Sequence, residues 1–312
     1  MGRLHHLPLN ASGSPARTVM ANPRIPYRFS TSAPPLPPLN GKRILVHLVV
    51  NVEHWQFDRA MPRTIITPPH GQGSIPDVPN FSWADYGMRA GLPRILDLFR
   101  ARGLPASTSF NAGVIDAYPQ AAEAMLRAGW EFIGHGLHQK AIQNTDGDAE
   151  AEMIAAALDK IAGFTGARPR GWLSPGLRES ERTPDLLKAQ GVDYVCDWVV
   201  DDVPNWMTTA HGPLVAMPYN LEINDSIIYA IERHATGEME KRLRHTLALF
   251  EAECTRSPRV LALGLHPHLI SVPHRMHELV NMVDALAASP EVAFVTGSQI
   301  CDWFTTAASP ES

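Results

Sequence analysis

The stretch Arg43–Val52, which reads RILVHLVVNV, decides the fold class. Its nearly continuous β-branched and apolar residues are typical of a strand that is buried on both faces, as in a parallel sheet. Similar apolar runs recur along the chain, with helical patterns between many of them. These runs read ASTSFNAGV, WEFIGHG, PRGWLSPG, DYVCDWVV, PLVAMPYN, RVLALGLHPHL and VAFVTGS. The alternation predicts an α/β fold, a distorted (β/α) barrel with about seven parallel strands.

Five segments between these runs have helix signals. The clearest is TPDLLKAQG, in which Thr183 is a candidate N-cap, Pro184 lies in the first turn and Gly191 follows the end. The other four predicted helices are GLPRILDLFRARG, DAEAEMIAAALDKIAGF, EMEKRLRHTLALFEAEC and RMHELVNMVDALAAS. The long Pro- and Gly-rich segment Asp58–Tyr86 predicts a functional loop over the barrel rim. A second rim loop with a short helix is predicted for NLEINDSIIYAIERHATGEM.

Composition excludes several classes of protein. The chain has 312 residues, of which 45% are hydrophobic and 19% charged, and its net charge is −5 without a basic block, so nucleic acid is not an expected partner. No apolar run approaches the roughly 18 residues that span a bilayer, and the N-terminus lacks a signal-peptide core. Three widely spaced cysteines indicate a reducing compartment, and we expect a cytoplasmic protein.

The expected domain organisation is simple. Residues 1–40 form an N-terminal tail and a Pro-rich strap, residues 41–306 form a single catalytic (β/α) barrel, and residues 307–312 form a short tail. The strap sequence STSAPPLPPLNG excludes a helix or an inner strand there.

Three chemically active residues follow predicted strands. Glu53, His135 and His266 each lie at the C-terminal end of an apolar run, and in a barrel of parallel strands such ends share one rim. Glu53 is a candidate general base or metal ligand, because a carboxylate at the end of a buried strand needs a partner. His266 can exchange a proton with a leaving nitrogen, and Asp197 is a candidate for orienting it.

Further candidates lie beside these three. His138 and Gln139 follow His135 at offsets of three and four, which makes a metal-ligand set possible, although a hydrogen-bonded loop histidine explains the spacing equally well. His54, Trp55 and Trp172 are candidate substrate-binding residues, with ordinary core packing as the alternative for the tryptophans. Nucleotide-binding glycine motifs and the serine-hydrolase GxSxG motif are absent from the sequence.

Five segments together resemble the polysaccharide deacetylase superfamily, known as the NodB-homology group. They read VVNVEHW, WEFIGHG, PRGWLSPGL, YVCDWVVDD and LALGLHPHLISVPHR, and the resemblance covers about residues 24–304. It is strongest to the cytoplasmic branch of amide and cyclic-ureide hydrolases that includes metal-independent allantoinases and cyclic imidases. The resemblance implies a distorted barrel of about seven strands, in agreement with the pattern of apolar runs.

The resemblance also assigns residues to motifs. Glu53 is the one acid left in the first motif, so it inherits either the base role or the metal-binding role. In the second motif His135 matches, but Gln139 occupies the position of the second histidine and His138 is displaced by one residue. The resemblance therefore implies either no cofactor or one divalent metal, zinc being the expected ion.

The later motifs complete the assignment. Trp172 or Ser174 stands where the family has an arginine, His266 matches the proton-donating histidine of the final motif, and Asp197 matches the aspartate of the motif before it.

The resemblance implies a hydrolase of a non-peptide C–N bond in a small amide, cyclic imide or cyclic ureide, with water attacking the carbonyl. The expected partners are a small-molecule substrate and further copies of the chain, with neither nucleic acid nor a membrane. Two alternatives stay open. One is a metal-dependent N-deacetylase of an acetylated sugar or peptidoglycan, and the other is a non-catalytic barrel that binds a small ligand.

Overall fold

The computed structural model describes residues 21–68, 71–142 and 145–310. Within these ranges the chain forms one curled sheet of nine strands. The strands are β1 (Ile44–Val52), β2 (Ser107–Phe110), β3 (Glu131–Gly134), β4 (Gly171–Trp172), β5 (Tyr194–Val195), β6 (Asn205–Met207), β7 (Leu214–Ala216), β8 (Arg259–Leu265) and β9 (Val292–Phe294).

The sheet is parallel except at one end. Its order is β6-β7-β5-β4-β3-β2-β1-β8, β9 pairs with the first half of β1, and the β6–β7 pair is antiparallel. Loop segments cover the free edge of β8, because Val260 N–H donates to the Asp202 carbonyl at 2.8 Å and Gly264 N–H donates to the Ile223 carbonyl at 3.1 Å. The curled sheet confirms the predicted distorted (β/α) barrel.

Helices separate most of the parallel strands. They are α1 (Val78–Tyr86), α2 (Leu92–Arg102), α3 (Val114–Ala117), α4 (Pro119–Arg127), α5 (Gly147–Thr165), α6 (Thr183–Ala189), α7 (Glu238–Glu253), α8 (Pro273–Ala288) and α9 (Gly297–Ala307). The five predicted helices correspond to α2, α5, α6, α7 and α8. A short π-helix at Ser226–Ile231 matches the helix predicted in the second rim loop.

The segment predicted as one long loop, Asp58–Tyr86, ends in helix α1, so the loop is shorter than predicted. Pro79 lies in the first turn of α1, where the missing N–H costs nothing, and the Asp77 side chain caps the helix by accepting from Asn80 N–H. A π-helical turn at Gly87–Gly91 then joins α1 to α2. Of the prolines that led us to predict a loop in this segment, Pro79 instead lies at the start of a helix.

Strand β1 explains how the core is divided. All nine of its residues are buried. Ile44, Val46 and Leu48 belong to the apolar layer between sheet and helices, whereas Leu45 and Val49 belong to a second apolar cluster on the opposite face of the sheet. The alternation follows from the two-residue period of a strand and gives β1 two buried faces, as its sequence predicts.

The strap is attached to the barrel where it is described. The Arg24 guanidinium binds both carboxylate oxygens of Asp185 at 2.8 and 3.1 Å, and Trp303 Nε1–H donates to the Pro37 carbonyl at 2.9 Å. A cavity of about 610 Å³ lies between the strap and the body, and its lining includes Tyr27, Trp206 and Phe304 but none of the predicted site residues. Residues 1–20 of the predicted N-terminal tail and strap lie outside the described residues, and the domain boundaries stay a prediction.

Helices of the described part of the chain are all too short or too polar to cross a lipid bilayer.

Candidate active site

Three predicted site residues lie at one edge of the sheet, where parallel strands end. Glu53 directly follows β1, His135 follows β3 and His266 follows β8. Strand β1 pairs with β8 on one side and is joined to β3 through β2 on the other. His135 interacts electrostatically with both Glu53 and His266, so groups from three distant parts of the sequence share one site.

Glu53 and His266 form a close pair. Nε2 of His266 lies 3.6 Å from Oε1 of Glu53, and the two side chains are 10% and 9% exposed. Burial favours the neutral form of Glu53, but hydrogen bonding to His266 and its charge outweigh burial and lower the pKa of Glu53 to about 2. Burial likewise opposes charge on His266, but the carboxylates of Asp225 and Glu53 raise the pKa of His266 to about 9. At neutral pH the pair is a carboxylate beside an imidazolium.

Asp225 orients His266. Nδ1 of His266 lies 2.6 Å from Oδ1 of Asp225, and the His266 backbone N–H donates to Oδ2 at 2.6 Å. The Asp225 side chain is fully buried at the start of the π-helix. Because Nδ1 is bonded to this carboxylate, Nε2 faces Glu53 and is free for proton transfer. The prediction that Asp197 orients His266 is therefore wrong, and sequence reasoning missed Asp225 inside the predicted rim loop.

Asp197 has different partners. It follows β5 and accepts a hydrogen bond from Ser174 N–H at 2.7 Å. Burial raises the pKa of Asp197, and burial together with the charge of Asp197 raises the pKa of Glu179 to about 9. The two carboxyl groups thus lie close together and tie the chain after β4 to the chain after β5. A catalytic role for Asp197 stays a prediction.

His135 is fixed by backbone groups. Its Nδ1 hydrogen-bonds to the Leu173 carbonyl, which makes Nδ1 the protonated nitrogen, and its Nε2 has no hydrogen-bond partner among the described residues. Burial lowers the pKa of His135, so the ring is neutral at neutral pH. Asn111 joins the rim loops, since it accepts from His54 N–H at 2.9 Å and donates to the His135 carbonyl. The site therefore contains a neutral imidazole with an unused acceptor.

His54 and His138 contact each other. Their Nδ1 atoms lie 2.9 Å apart, and the edge of the His54 ring faces Tyr118. Burial lowers the pKa of both histidines, and the mutual repulsion of their charges lowers that of His54 further. The predicted substrate contact of His54 stays a prediction.

The divalent metal that the resemblance allows does not fit these donors well. His138 turns its Nδ1 to His54, a contact that does not support the predicted ligand role beside His135, and that role stays a prediction. Gln139 lies beside the His135 ring but offers a neutral amide oxygen in place of a second imidazole. Across residues 21–68, 71–142 and 145–310, no group of three His, Cys, Asp or Glu side chains is arranged to hold a metal ion. Of the predicted ligand set, Glu53 and Gln139 both interact with His135.

Aromatic side chains surround the pair. Trp55 Nε1–H donates to Oε2 of Glu53 at 2.7 Å, and the Trp83 ring of α1 packs edge-on against His268 with a centroid distance of 4.4 Å. Trp83 was not predicted, because its helix lies in the segment assigned to a loop. Trp172 is fully buried in the core, and its Nε1–H donates to Ser174 at 3.0 Å, so the prediction that it lines the substrate pocket is wrong.

Comparisons with known proteins agree with this fold. A family model described as polysaccharide deacetylase matches residues 82–195. A Schizosaccharomyces pombe protein assigned as a polysaccharide deacetylase is 26% identical over 237 residues, which are 69% of this chain and 73% of the relative.

Two solved structures resemble the whole barrel. A protein from Pseudomonas aeruginosa PAO1, described as a polysaccharide deacetylase, is 27% identical with a TM-score of 0.80, and the match covers 88% of this chain and 95% of that one. The PuuE allantoinase is 28% identical with a TM-score of 0.81, over 90% of this chain and 96% of that one.

These comparisons identify a hydrolase of carbon–nitrogen bonds other than peptide bonds. Residues 82–195 match the polysaccharide deacetylase family, and the barrel as a whole is similar to solved structures of that superfamily, as the five sequence segments predict.

Proposed function

We propose that this hydrolase opens a C–N bond of a small amide, cyclic imide or cyclic ureide, as an allantoinase-like enzyme does. The observation that carries the proposal is the Glu53–His266 pair, with 3.6 Å between Oε1 and Nε2 and opposite charges at neutral pH. A carboxylate that accepts a proton beside an imidazolium that donates one is the arrangement that amide hydrolysis requires.

The reaction follows from these protonation states. Glu53 takes a proton from a water molecule as the water oxygen attacks the carbonyl carbon, which forms a tetrahedral oxyanion. The imidazolium of His266 donates its Nε2 proton to the departing nitrogen, and the C–N bond breaks. The products are a carboxylic acid and an N–H group, which is an amine from an amide, an amide from an imide and a ureido group from a cyclic ureide. Transfer of the proton from Glu53 to the neutral His266 restores both groups. Water is consumed, and no proton is gained or lost by the enzyme over the cycle.

The burial of the Glu53–His266 pair favours a small substrate. Glu53 and His266 are nearly buried, and Trp55, Trp83 and His268 pack against one another beside them. An enclosed aromatic site suits a ring-shaped molecule better than a polymer, which needs an open groove. The likeness to PuuE allantoinase over nearly the whole chain supports the same substrate class.

An N-deacetylase of a sugar or peptidoglycan is the second candidate. The family-model match and the Schizosaccharomyces pombe relative favour it. The two candidates differ in the bond that is cleaved, since deacetylation releases acetate and ring opening does not. The third alternative, a ligand-binding barrel, predicts no turnover of either kind.

A substrate panel with one matched variant tests the proposal. Purified enzyme is incubated with allantoin, hydantoin, succinimide and N-acetylglucosamine, and ring opening and acetate release are followed separately. We expect ring opening of at least one cyclic compound and its loss in Glu53→Gln. Release of acetate without ring opening would contradict the proposal and identify an N-deacetylase. A folded enzyme that gives neither product would favour the non-catalytic barrel that binds a small ligand.

We further propose that the enzyme works in the cytoplasm as a homo-oligomer. The three cysteines are free and buried, which suits a reducing compartment. Light scattering of the purified protein measures its oligomeric state, and a monomeric mass at micromolar concentration would contradict this part of the proposal.

A further inference from the structure

Arg63, in the loop between β1 and α1, reaches the chain segment that carries Asp225. Its Nη1 donates to the hydroxyl of Ser226, the residue that follows Asp225. Arg63 also interacts electrostatically with His268. Burial and the charge of His266 are the larger effects that lower the pKa of His268 to about 3, and Arg63 acts in the same direction. The guanidinium therefore lies on the side of the site formed by Asp225, His266 and His268.

Arg63 lacks the usual partner of a half-buried arginine. Among the described residues it makes no ion pair with Asp or Glu, and its hydrogen bond to Ser226 engages one of five N–H donors. By contrast, Arg24 and Arg170 each bind carboxylates of the chain itself. A guanidinium at a substrate site with unused donors is suited to bind paired acceptor oxygens from outside the chain.

The loop that carries Arg63 is held in place. The Asn80 carboxamide accepts from the backbone N–H groups of Ile65 and Ile66 at 2.8 and 3.0 Å and donates to the Ile66 carbonyl at 3.0 Å. Asn80 is 1% exposed, and its amide also donates to Asp77 at 2.8 Å. The backbone two residues beyond Arg63 is thus fixed to α1, which limits where the guanidinium can lie.

The charges of the site make an arginine necessary for an anionic substrate. Glu53 and Asp225 are negative and His266 is positive, so these three groups alone would repel an anion. Arg63 brings the sum to zero and places its positive charge beside Ser226, the residue next to Asp225. An anionic group that is bound there would leave the scissile carbonyl free to face Glu53 and His266.

We propose that Arg63 is a specificity-determining residue that binds a carboxylate group of the substrate, next to the C–N bond that is cleaved. The inference rests on the proposed function and narrows its substrate class to amides, imides or ureides that carry a carboxylate. The guanidinium forms two parallel hydrogen bonds with the carboxylate, while the bond to Ser226 holds the side chain in position.

Two probes that differ only in charge test the inference. Hydantoin-5-acetic acid carries a carboxylate, and hydantoin-5-acetamide replaces it by a neutral group of the same shape. We expect Arg63→Ala to raise KM for the acid about tenfold or more and to change KM for the amide less than about threefold, with kcat nearly constant, because uniform binding energy is lost. Arg63→Lys should recover part of the affinity for the acid.

Arg94→Ala is the matched control. Arg94 also lacks a carboxylate partner among the described residues, and its Nη1 donates to Tyr86 and to the Ser271 carbonyl at 2.9 and 2.8 Å. Its loss should leave the ratio of the two KM values unchanged. An Arg63→Ala effect of equal size on both probes would mean that Arg63 only holds the loop to Ser226, and it would overturn the inference.

Calorimetry separates this inference from the proposed function. If neither hydantoin is opened, binding of both probes to the folded enzyme is measured directly. Tighter binding of the acid that disappears in Arg63→Ala supports the carboxylate site even if the hydrolysis of hydantoins fails. Binding of both probes with equal affinity, or of neither, overturns it.

Discussion

Both oxygens of the Asp225 carboxylate are bonded to His266, one to Nδ1 and the other to the backbone N–H, each at 2.6 Å. The first hydrogen bond fixes which ring nitrogen faces Glu53, and the second fixes the position of the His266 backbone from which the ring extends. Asp225 thereby determines the orientation of His266 and, together with Glu53, keeps the ring charged, because burial alone would favour the neutral imidazole.

Asp225→Asn should move the alkaline limb of the activity profile. In the wild type kcat/KM requires protonated His266, so it should be constant at neutral pH and fall as pH rises through about 9. Without the Asp225 charge, burial dominates and lowers the pKa of His266, and the fall should begin at a lower pH. Profiles of kcat/KM from pH 5 to 11 measure the shift. An unchanged alkaline limb in a folded variant would contradict the assignment of His266 as the acid.

Glu53→Gln should reduce kcat by about 10²–10⁴-fold, the usual contribution of a general base. The amide retains an oxygen that can accept from Trp55, so packing should change little. Trp55→Phe is the control, because it removes this hydrogen bond and leaves the carboxylate. A smaller loss in Glu53→Gln than in Trp55→Phe would show that Glu53 acts through packing. Melting temperatures of both variants exclude unfolding as the cause.

The sequence predicts the barrel because its signals are local. The apolar run at β1 is buried on both faces, and the helix signals at Thr183 and Gly191 lie at the two ends of α6, although Arg182 and not the predicted Thr183 is the N-cap. Glu53 and His266 were predictable for the same reason, since each is a charged or titratable residue directly after an apolar run.

The rest of the site depends on contacts between distant segments, which local patterns do not contain. Asp225 lies 41 residues before His266 in the predicted rim loop, where nothing in the local pattern distinguishes it from its polar neighbours. The ring of His138 contacts His54, which lies 84 residues away in the sequence. The spacing of the histidines along the chain does not predict this contact. Trp172 lies at the end of an apolar run, as a residue of the substrate pocket would. Only the packing of the barrel interior shows that its side chain is buried in the core and does not line the pocket.

Gln139→His should create affinity for a divalent metal. The Gln139 side chain lies beside the His135 ring, and His135 interacts with Glu53, so the variant brings two imidazoles and one carboxylate together, which is a common zinc ligand set. Calorimetry with Zn²⁺ at neutral pH should detect binding to the variant that is much tighter than binding to the wild type. His138→Ala in the variant should not weaken it, because His138 faces His54. Equal affinity in wild type and Gln139→His would contradict the geometry.

Gly87→Ala should reduce both stability and activity, because the π-helical turn at Gly87–Gly91 packs directly on His268. A Cβ on Gly87 would lie 2.5 Å from the backbone nitrogen of His268 and 2.7 Å from the His268 Cβ. Neither the helix nor the backbone at His268 can move without disturbing Trp83 and His266, whose rings contact the His268 ring. Overpacking of this kind costs about 1–3 kcal/mol in the free energy of unfolding.

Gly163→Ala in α5 is the control for Gly87→Ala, because it makes the same substitution at a helical glycine away from the site. A Cβ at Gly163 has no atom within 4 Å, so the change should stabilise the helix by up to about 1 kcal/mol and leave kcat unchanged. Chemical denaturation and steady-state kinetics measure both effects. If Gly87→Ala lowers stability but leaves kcat and KM unchanged, the turn supports only the fold. A loss of kcat/KM beyond the unfolded fraction means that contact between the turn and His268 positions the residues around His266.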